Sequence, residues 1–384
     1  MKLSVLIFLS ALWLPLTLCA HDADSYGGLY RSRDAGATWL PADGGLFINA
    51  SNTVAISPID SNDLLYGTDT KLMRSKNGGR DWHDQASVVA GSIFCVAFVR
   101  QSNVMFAANG MQLFRSDDGT NWRAINVSST AFPIAQIATT TSDVYLAGND
   151  GLYIGSASSE DWRGPVKGLP EEPISALIVA NSTPQASIHA VLGGRVWRSL
   201  DRGSTWQQGE GDWRDRRIDA IAVHPGEPKI LWAAGASRVF KSKDSGATWQ
   251  PHGNPLPDPN IAIRAVAVNQ AGDVIVLSTH RGLMRSADGA NTWVKVESAL
   301  PLHLEPGPLL QDHTDPNVMY VGFSLRPYGE AWRAARHAAE QKRTDEARNR
   351  YTIFVAGVGL ISLAVAVLWR RRVGLPHQAE HKAS

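Results

Sequence analysis

Four cations occupy nearly the same place in four copies of one repeating unit: Lys71, Arg195, Arg238 and Arg281. Each falls in a short loop ahead of a strand. The connections expected beside those loops add Trp213, Arg214, Arg216, Arg217 and Arg264. Gathered on one face of a ring, these residues would form a basic, aromatic-edged patch. Such a patch could attract an acidic protein surface, an anionic glycan or lipid headgroups. The competing reading is a set of solvated loop charges with no partner.

The groups that could do covalent chemistry are less organised. General acid/base work needs two carboxylates at a defined separation. Asp69, Asp150, Glu210, Asp212 and Asp219 are candidates, but no spacing pairs them. His224, His252, His280, His303 and His313 are scattered and form no HxxxH or HExxH set, while His377 and His381 sit four apart in the tail. No metal site and no cofactor are expected from this pattern. Cys95 is the one cysteine outside the first 20 residues, so no intrachain disulfide and no CxxC site is expected. A net charge of +1 without a dominant basic stretch points away from nucleic acid as a partner.

The elements that must position these residues repeat roughly every 43 positions. Seven segments end in tryptophan: 30–39, 73–82, 114–122, 153–162, 197–206, 240–249 and 284–293. The copy at 218–253 shows what surrounds each one. IDAIAVHP alternates as a half-buried strand, KILWAAG and RVFKSK follow as two more, and WQPHG opens a fourth after a turn. Four short antiparallel strands per repeat is the period of a β-propeller blade. The first copy has only strands three and four, and residues 307–324 supply only strands one and two. The two halves are expected to complete one blade, giving an all-β, seven-bladed propeller over 26–326 whose ends are tied together. A basic residue precedes the turn serine in six copies (Arg31, Arg74, Arg115, Arg198, Lys241 and Arg285), read here as a solvated charge guarding an outer strand.

The ends carry other signals. Residues 1–20 have one early lysine, an apolar run and small terminal residues, as a secretory signal peptide does. Residues 327–351 interleave alanine with charge and are expected to be a helical stalk. Residues 352–369 hold no charge and are expected to form a transmembrane helix, followed by Arg370, Arg371 and Arg372 in a tail, 370–384. Together these predict a single-pass protein of a bacterial-type inner membrane, propeller outside and C-terminus cytoplasmic.

The turns follow S-x-D-x-G-x-T-W, fully at Ser32–Trp39, Ser199–Trp206 and Ser242–Trp249. In this the chain resembles the Asp-box, or bacterial neuraminidase repeat, family over about residues 28–324. That family includes sialidases, sortilin-type receptors, some xyloglucanases and the photosystem II assembly factor. The resemblance implies a structural role for Asp34, Trp39, Asp118, Trp122, Asp201, Trp206, Asp244, Trp249, Asp288 and Trp293. An Asp side chain can accept from N–H groups in its own turn, glycine takes the positive φ, and indole buries a large face. The resemblance is nearly silent on function. Sialidase chemistry would need an arginine trio, a Tyr–Glu pair and an Arg-Ile-Pro signature. No Arg-Ile-Pro occurs, and Tyr26 and Tyr30 have no Glu before residue 160. The short loops also build a bumpy surface rather than a cleft. The expectation is a non-catalytic scaffold that binds a membrane or envelope protein client. A sialidase-like or other glycoside hydrolase, and a glycan- or ligand-binding receptor, are the alternatives.

Overall fold

The computed structural model describes residues 27–373, apart from 86–87, 160, 182–184, 214–216, 298–299, 302–303 and 326–327. The expected signal peptide, Arg214, Arg216, His303 and the last eleven residues of the tail lie outside the described residues. The alternating runs form seven antiparallel sheets. Blades 1 to 6 span 51–84, 93–125, 136–163, 174–208, 220–252 and 263–295. Blade 7 joins the chain ends in the order Leu40–Pro41, Gly28–Ser32, Met319–Ser324, Glu305–Gln311. Gly28 faces Phe323 and Ser32 faces Met319, which is the closure expected from the strand count. The innermost strands neighbour one another around the ring, with Glu305–Gln311 returning beside Ser51–Ile56. Blade 5 carries an addition: Glu210–Gly211 pairs in parallel with its outer strand, opposite Thr248 and Trp249.

The core is divided among the seams. Each of seven buried apolar clusters lies between two successive blades. The box tryptophans pack backward into them: Trp39 against Val276 and Leu283 of blade 6, Trp249 against Val191 and Val196 of blade 4. Period-two strands bury both faces here because every blade is sandwiched between two others.

The box turns are built as the residue types imply. Gly36 N–H donates to Ser32 Oγ at 2.8 Å, Thr38 N–H to Asp34 Oδ1 at 2.8 Å, and Trp39 Nε1 to Gly36 O at 3.1 Å. These bonds hold the Asp34 carboxyl below its ordinary value despite the opposing cost of burial. Asp201, in the same setting, is brought down to about 2, chiefly by the Thr205 hydroxyl and N–H. Two consecutive residues take positive φ in each full turn, as Ala35 and Gly36 do (53° and 78°). In the last turn the glycine comes one place early, so Ala290 must adopt φ 68° itself.

The basic residues before the box serines are not solvated guards. Arg31 Nη1 donates to Gly78 O at 2.8 Å, Arg74 Nη1 to Asp118 O at 3.4 Å, Arg198 Nη1 to Asp244 O at 3.3 Å and Arg285 Nε to Ala35 O at 2.9 Å. Each reaches across a seam to the box turn of the next blade. Blade 3 has glycine at this position, and Arg163 substitutes, donating to Arg202 O at 3.3 Å. Arg115 instead folds back onto Asp117, 2.6 Å away, beside the degenerate fourth turn.

One continuous helix, α1, runs Tyr328–Val373. Among the described residues no helix is long and apolar enough to cross a membrane. This overturns the transmembrane helix expected at 352–369 and, with it, the single-pass inner-membrane placement. The apolar run is not an element of its own. It is the end of a longer helix whose first half carries Arg333, Arg336, Lys342, Arg343, Arg348 and Arg350. Nor is that first half a free stalk: it lies against the propeller.

Candidate binding surface

Because each strand reverses on its neighbour, the loop between strands two and three shares a face with the connection to the next blade. The box turns lie on the opposite face. The loop face therefore collects the described cations of the predicted set, and the structure gives four of those six acidic neighbours. Lys71 Nζ is 2.8 Å from Asp84, Arg264 Nη2 is 2.5 Å from Glu305, and Arg281 pairs with Asp258 and donates to His280 at 3.2 Å. Arg217, with 73% of its side chain exposed, has Asp219 at 3.7 Å. Burial raises the Asp219 carboxyl above its ordinary value, with Arg217 opposing. Arg195 donates to Gly194 O at 3.3 Å, and Arg238 is half-buried at the start of its strand. Among the described residues Lys71, Arg217, Arg264 and Arg281 are thus each set beside an acid. Apart from Asp219, two residues from Arg217, sequence spacing could not show this, because the acids come from the outer strand (Asp84), the preceding connection (Asp258) or the next blade (Glu305).

Trp213 does not edge the patch. It is 3% exposed, with ring centroids 5.5 Å from Trp249 and 5.8 Å from Phe240. The added strand Glu210–Gly211 runs along Trp249 and carries Trp213 into the seam between blades 4 and 5.

A polypeptide already occupies part of the loop face. The first half of α1 crosses blade 2 and its connection to blade 3. Trp332 meets Phe94 edge to face at 5.6 Å. A methyl added to Gly110 would come within 3.3 Å of Ala335 Cβ, so glycine is what lets the helix approach. Ala339 is buried, and Arg343 Nη1 donates to Thr130 O at 3.3 Å. A cavity of about 130 Å³ remains beneath, lined by Met111, Ile125, Val127, Phe132, Ala339 and Lys342. Alternation of alanine with charge announced a helix but not where it would sit. Trp332 was the residue that could have told, since an indole on an exposed stalk has nothing to bury it.

Among the described residues no group of three or more His, Cys, Asp or Glu could hold a metal ion. Cys95 is buried and free, its thiol pushed up by desolvation and donating to Ile134 O at 3.4 Å.

The model of the DUF6242 beta propeller domain matches residues 48–250, more than half of the chain. The chain belongs to this family. Its DUF6242 propeller is of the Asp-box type, and solved structures agree on the fold. YCF48 bound to D1 peptide aligns with a TM-score of 0.53 at 16% identity, over 72% of this chain and 94% of that one. YCF48 from Cyanidioschyzon merolae gives 0.55 at 16%, over 73% and 97%. The GH74 xyloglucanase from Xanthomonas campestris gives 0.54 at 17%, over 75% of this chain but 55% of the enzyme. At such identities these likenesses show the DUF6242 chain's fold alone. No curated protein matches the sequence.

Proposed function

We propose that this chain is a non-catalytic docking propeller whose loop face binds a polypeptide segment of another protein. The observation that carries the reading is α1. The face engages a helix through an aromatic edge contact, a glycine-permitted close approach, a buried alanine and a main-chain hydrogen bond. Those are the elements of helix-in-groove recognition. The surrounding ion pairs would orient a charged segment and reject a wrong one rather than supply bulk attraction. A propeller of the same fold solved with a bound D1 peptide supports the reading. The partner chemistry it favours is an extended or helical segment of a membrane or envelope protein.

The test uses a peptide of residues 328–350 added in trans to the full chain. A Trp332→Ala/Ala339→Glu variant, with its own helix displaced, should bind the labelled peptide saturably. The unaltered chain should bind it far more weakly, because a tethered segment competes at an effective concentration of order millimolar. No binding to the variant would refute a polypeptide-binding face. Turnover of a fluorogenic glycoside by the intact chain would replace the reading with the hydrolase alternative.

A further inference from the structure

The seam between blades 5 and 6 departs from the others. Where four blades present an arginine to the next box turn, blade 5 has Lys241. Its amine stops over the Trp232 ring, 4.6 Å from the centroid, and makes no hydrogen bond among the described residues. Trp232 is fully buried, and its indole Nε1 has no partner among the described residues. His252 stands nearly perpendicular to that ring at 4.9 Å, and its Nε2 is also buried and unpartnered. His224, itself buried, accepts from Gly226 N–H through Nδ1 at 3.3 Å, which leaves Nε2 to carry the proton of the neutral ring.

These groups converge. A methyl built on Gly272 of blade 6 would lie 3.6 Å from His224 Nε2 and 3.6 Å from Trp232 Cζ2. The indole nitrogen is two bonds from Cζ2, so the Trp232 edge and His224 Nε2 border the gap beside Gly272, while His252 Nε2 lies 3.8 Å from where a methyl on Gly289 would sit. Lys243 adds a second charge to the set, and Glu227 is the acid that acts on His224 and Lys241. From blade 6, Asp273 is already engaged by Asn269 at 2.8 Å. Desolvation, then Lys241, holds both imidazoles below their ordinary range. Donors outnumber acceptors here, and each buried donor left unpaired costs about 1–3 kcal/mol.

We propose that this seam is a binding site for a small divalent oxyanion of the sulfate or hydrogen-phosphate type. Trp232 Nε1–H, His224 Nε2–H and His252 Nε2 donate to its oxygens, and Lys241 and Lys243 supply the charge. Binding also draws protons onto the two imidazoles, so affinity rises as pH falls.

The experiment is a sulfate titration of the ¹⁵N-labelled full chain, with chloride exchanged to keep ionic strength constant. The expected result is a saturable shift of the Trp232 indole N–H and a raised titration midpoint for His224 and His252. Lys241→Met should raise the half-saturation point about tenfold or more, as loss of one charged donor implies. Lys243→Met, at the rim, gives the same direction without touching the buried rings. An absent or non-saturable shift, an equal response to chloride, or an unchanged response in both lysine variants would overturn the site.

Discussion

Two kinds of seam hold this ring together. Between blades 4 and 5, a buried box tryptophan and an arginine aimed at the next turn act side by side: Trp249 is 2% exposed, and Arg198 donates to Asp244 O. Between blades 5 and 6 the same positions hold a half-buried Trp293 and a lysine that reaches no carbonyl. The first seam has orphaned atoms of its own, His189 Nδ1 and Arg198 Nε, but its arginine reaches the next turn. The second has no such arginine contact, and Trp232 Nε1 and His252 Nε2 are buried there without partners among the described residues. A repeat can therefore keep its fold while one interface gives up the arginine contact that four others use.

The sharpest way to break the contrast is to remove the indoles. Trp249→Ala should cost about 3–5 kcal/mol, as large aromatic truncations in cores do. Trp293→Ala, in the looser seam, should cost less than half of that. Chemical denaturation of both variants checks the difference, and equal losses would erase it.

Acid should probe the buried histidines next. His189, fully buried against Ser187 Oγ at 2.9 Å, is pushed down to about 3, first by desolvation and then by Arg198. Its folded pKa lies below the unfolded value, so the unfolded chain takes up the proton first. Stability is then complete above about pH 6.5 and falls as pH drops toward 3, by about 1.4 kcal/mol per pH unit for the one group. A His189→Gln variant should show a shallower decline over that window in urea melts at stepped pH. An unchanged slope would remove His189 from the acid response.

The arginine contacts give a smaller separation. Arg285→Ala strips the closing seam of its donor to Ala35 O and should cost about 1.5–3 kcal/mol, the range for a hydrogen bond to a charged group. Lys241→Ala should cost under about 1 kcal/mol in the absence of anion, since only a cation–π contact is lost. Thermal melts in chloride buffer measure both, and a larger loss for Lys241 would invert the comparison.

The smallest expected change is in a turn, at Ala290, beside a larger one at Gly36. Gly36→Ala places a methyl 2.7 Å from Val276 Cγ2 at φ 78° and should destabilise by about 1–2 kcal/mol or more. Ala290→Gly relieves a similar backbone cost but frees the unfolded chain and removes a buried methyl, so its net change should stay within about 0.5 kcal/mol. Should Ala290→Gly prove as disruptive as Gly36→Ala, the shifted glycine would not be the explanation of that turn.

Much of the architecture could be read without coordinates, because its causes are local. Alternation marks strands, the Ser–Asp–Gly–Thr order closes a turn on itself through bonds two to four residues long, and counting half-repeats at the two ends dictates one shared blade. The residues read as scaffold, Asp34, Asp201, Asp244 and Asp288 among them, sit in such self-contained turns. What the chain order could not decide is where charges and rings go once blades are stacked. Arg31 finds a carbonyl 47 residues away, and Arg285 finds one 250 residues away. Trp213 is drawn inward by a parallel strand, and α1 settles on blade 2 through Trp332. On the loop face Lys71, Arg264 and Arg281 acquire acids from a neighbouring strand, blade and connection. The partners of Arg31, Arg285 and Arg264 are brought near by the stacking of blades, and a pairing made across a seam leaves no mark in the spacing of either partner.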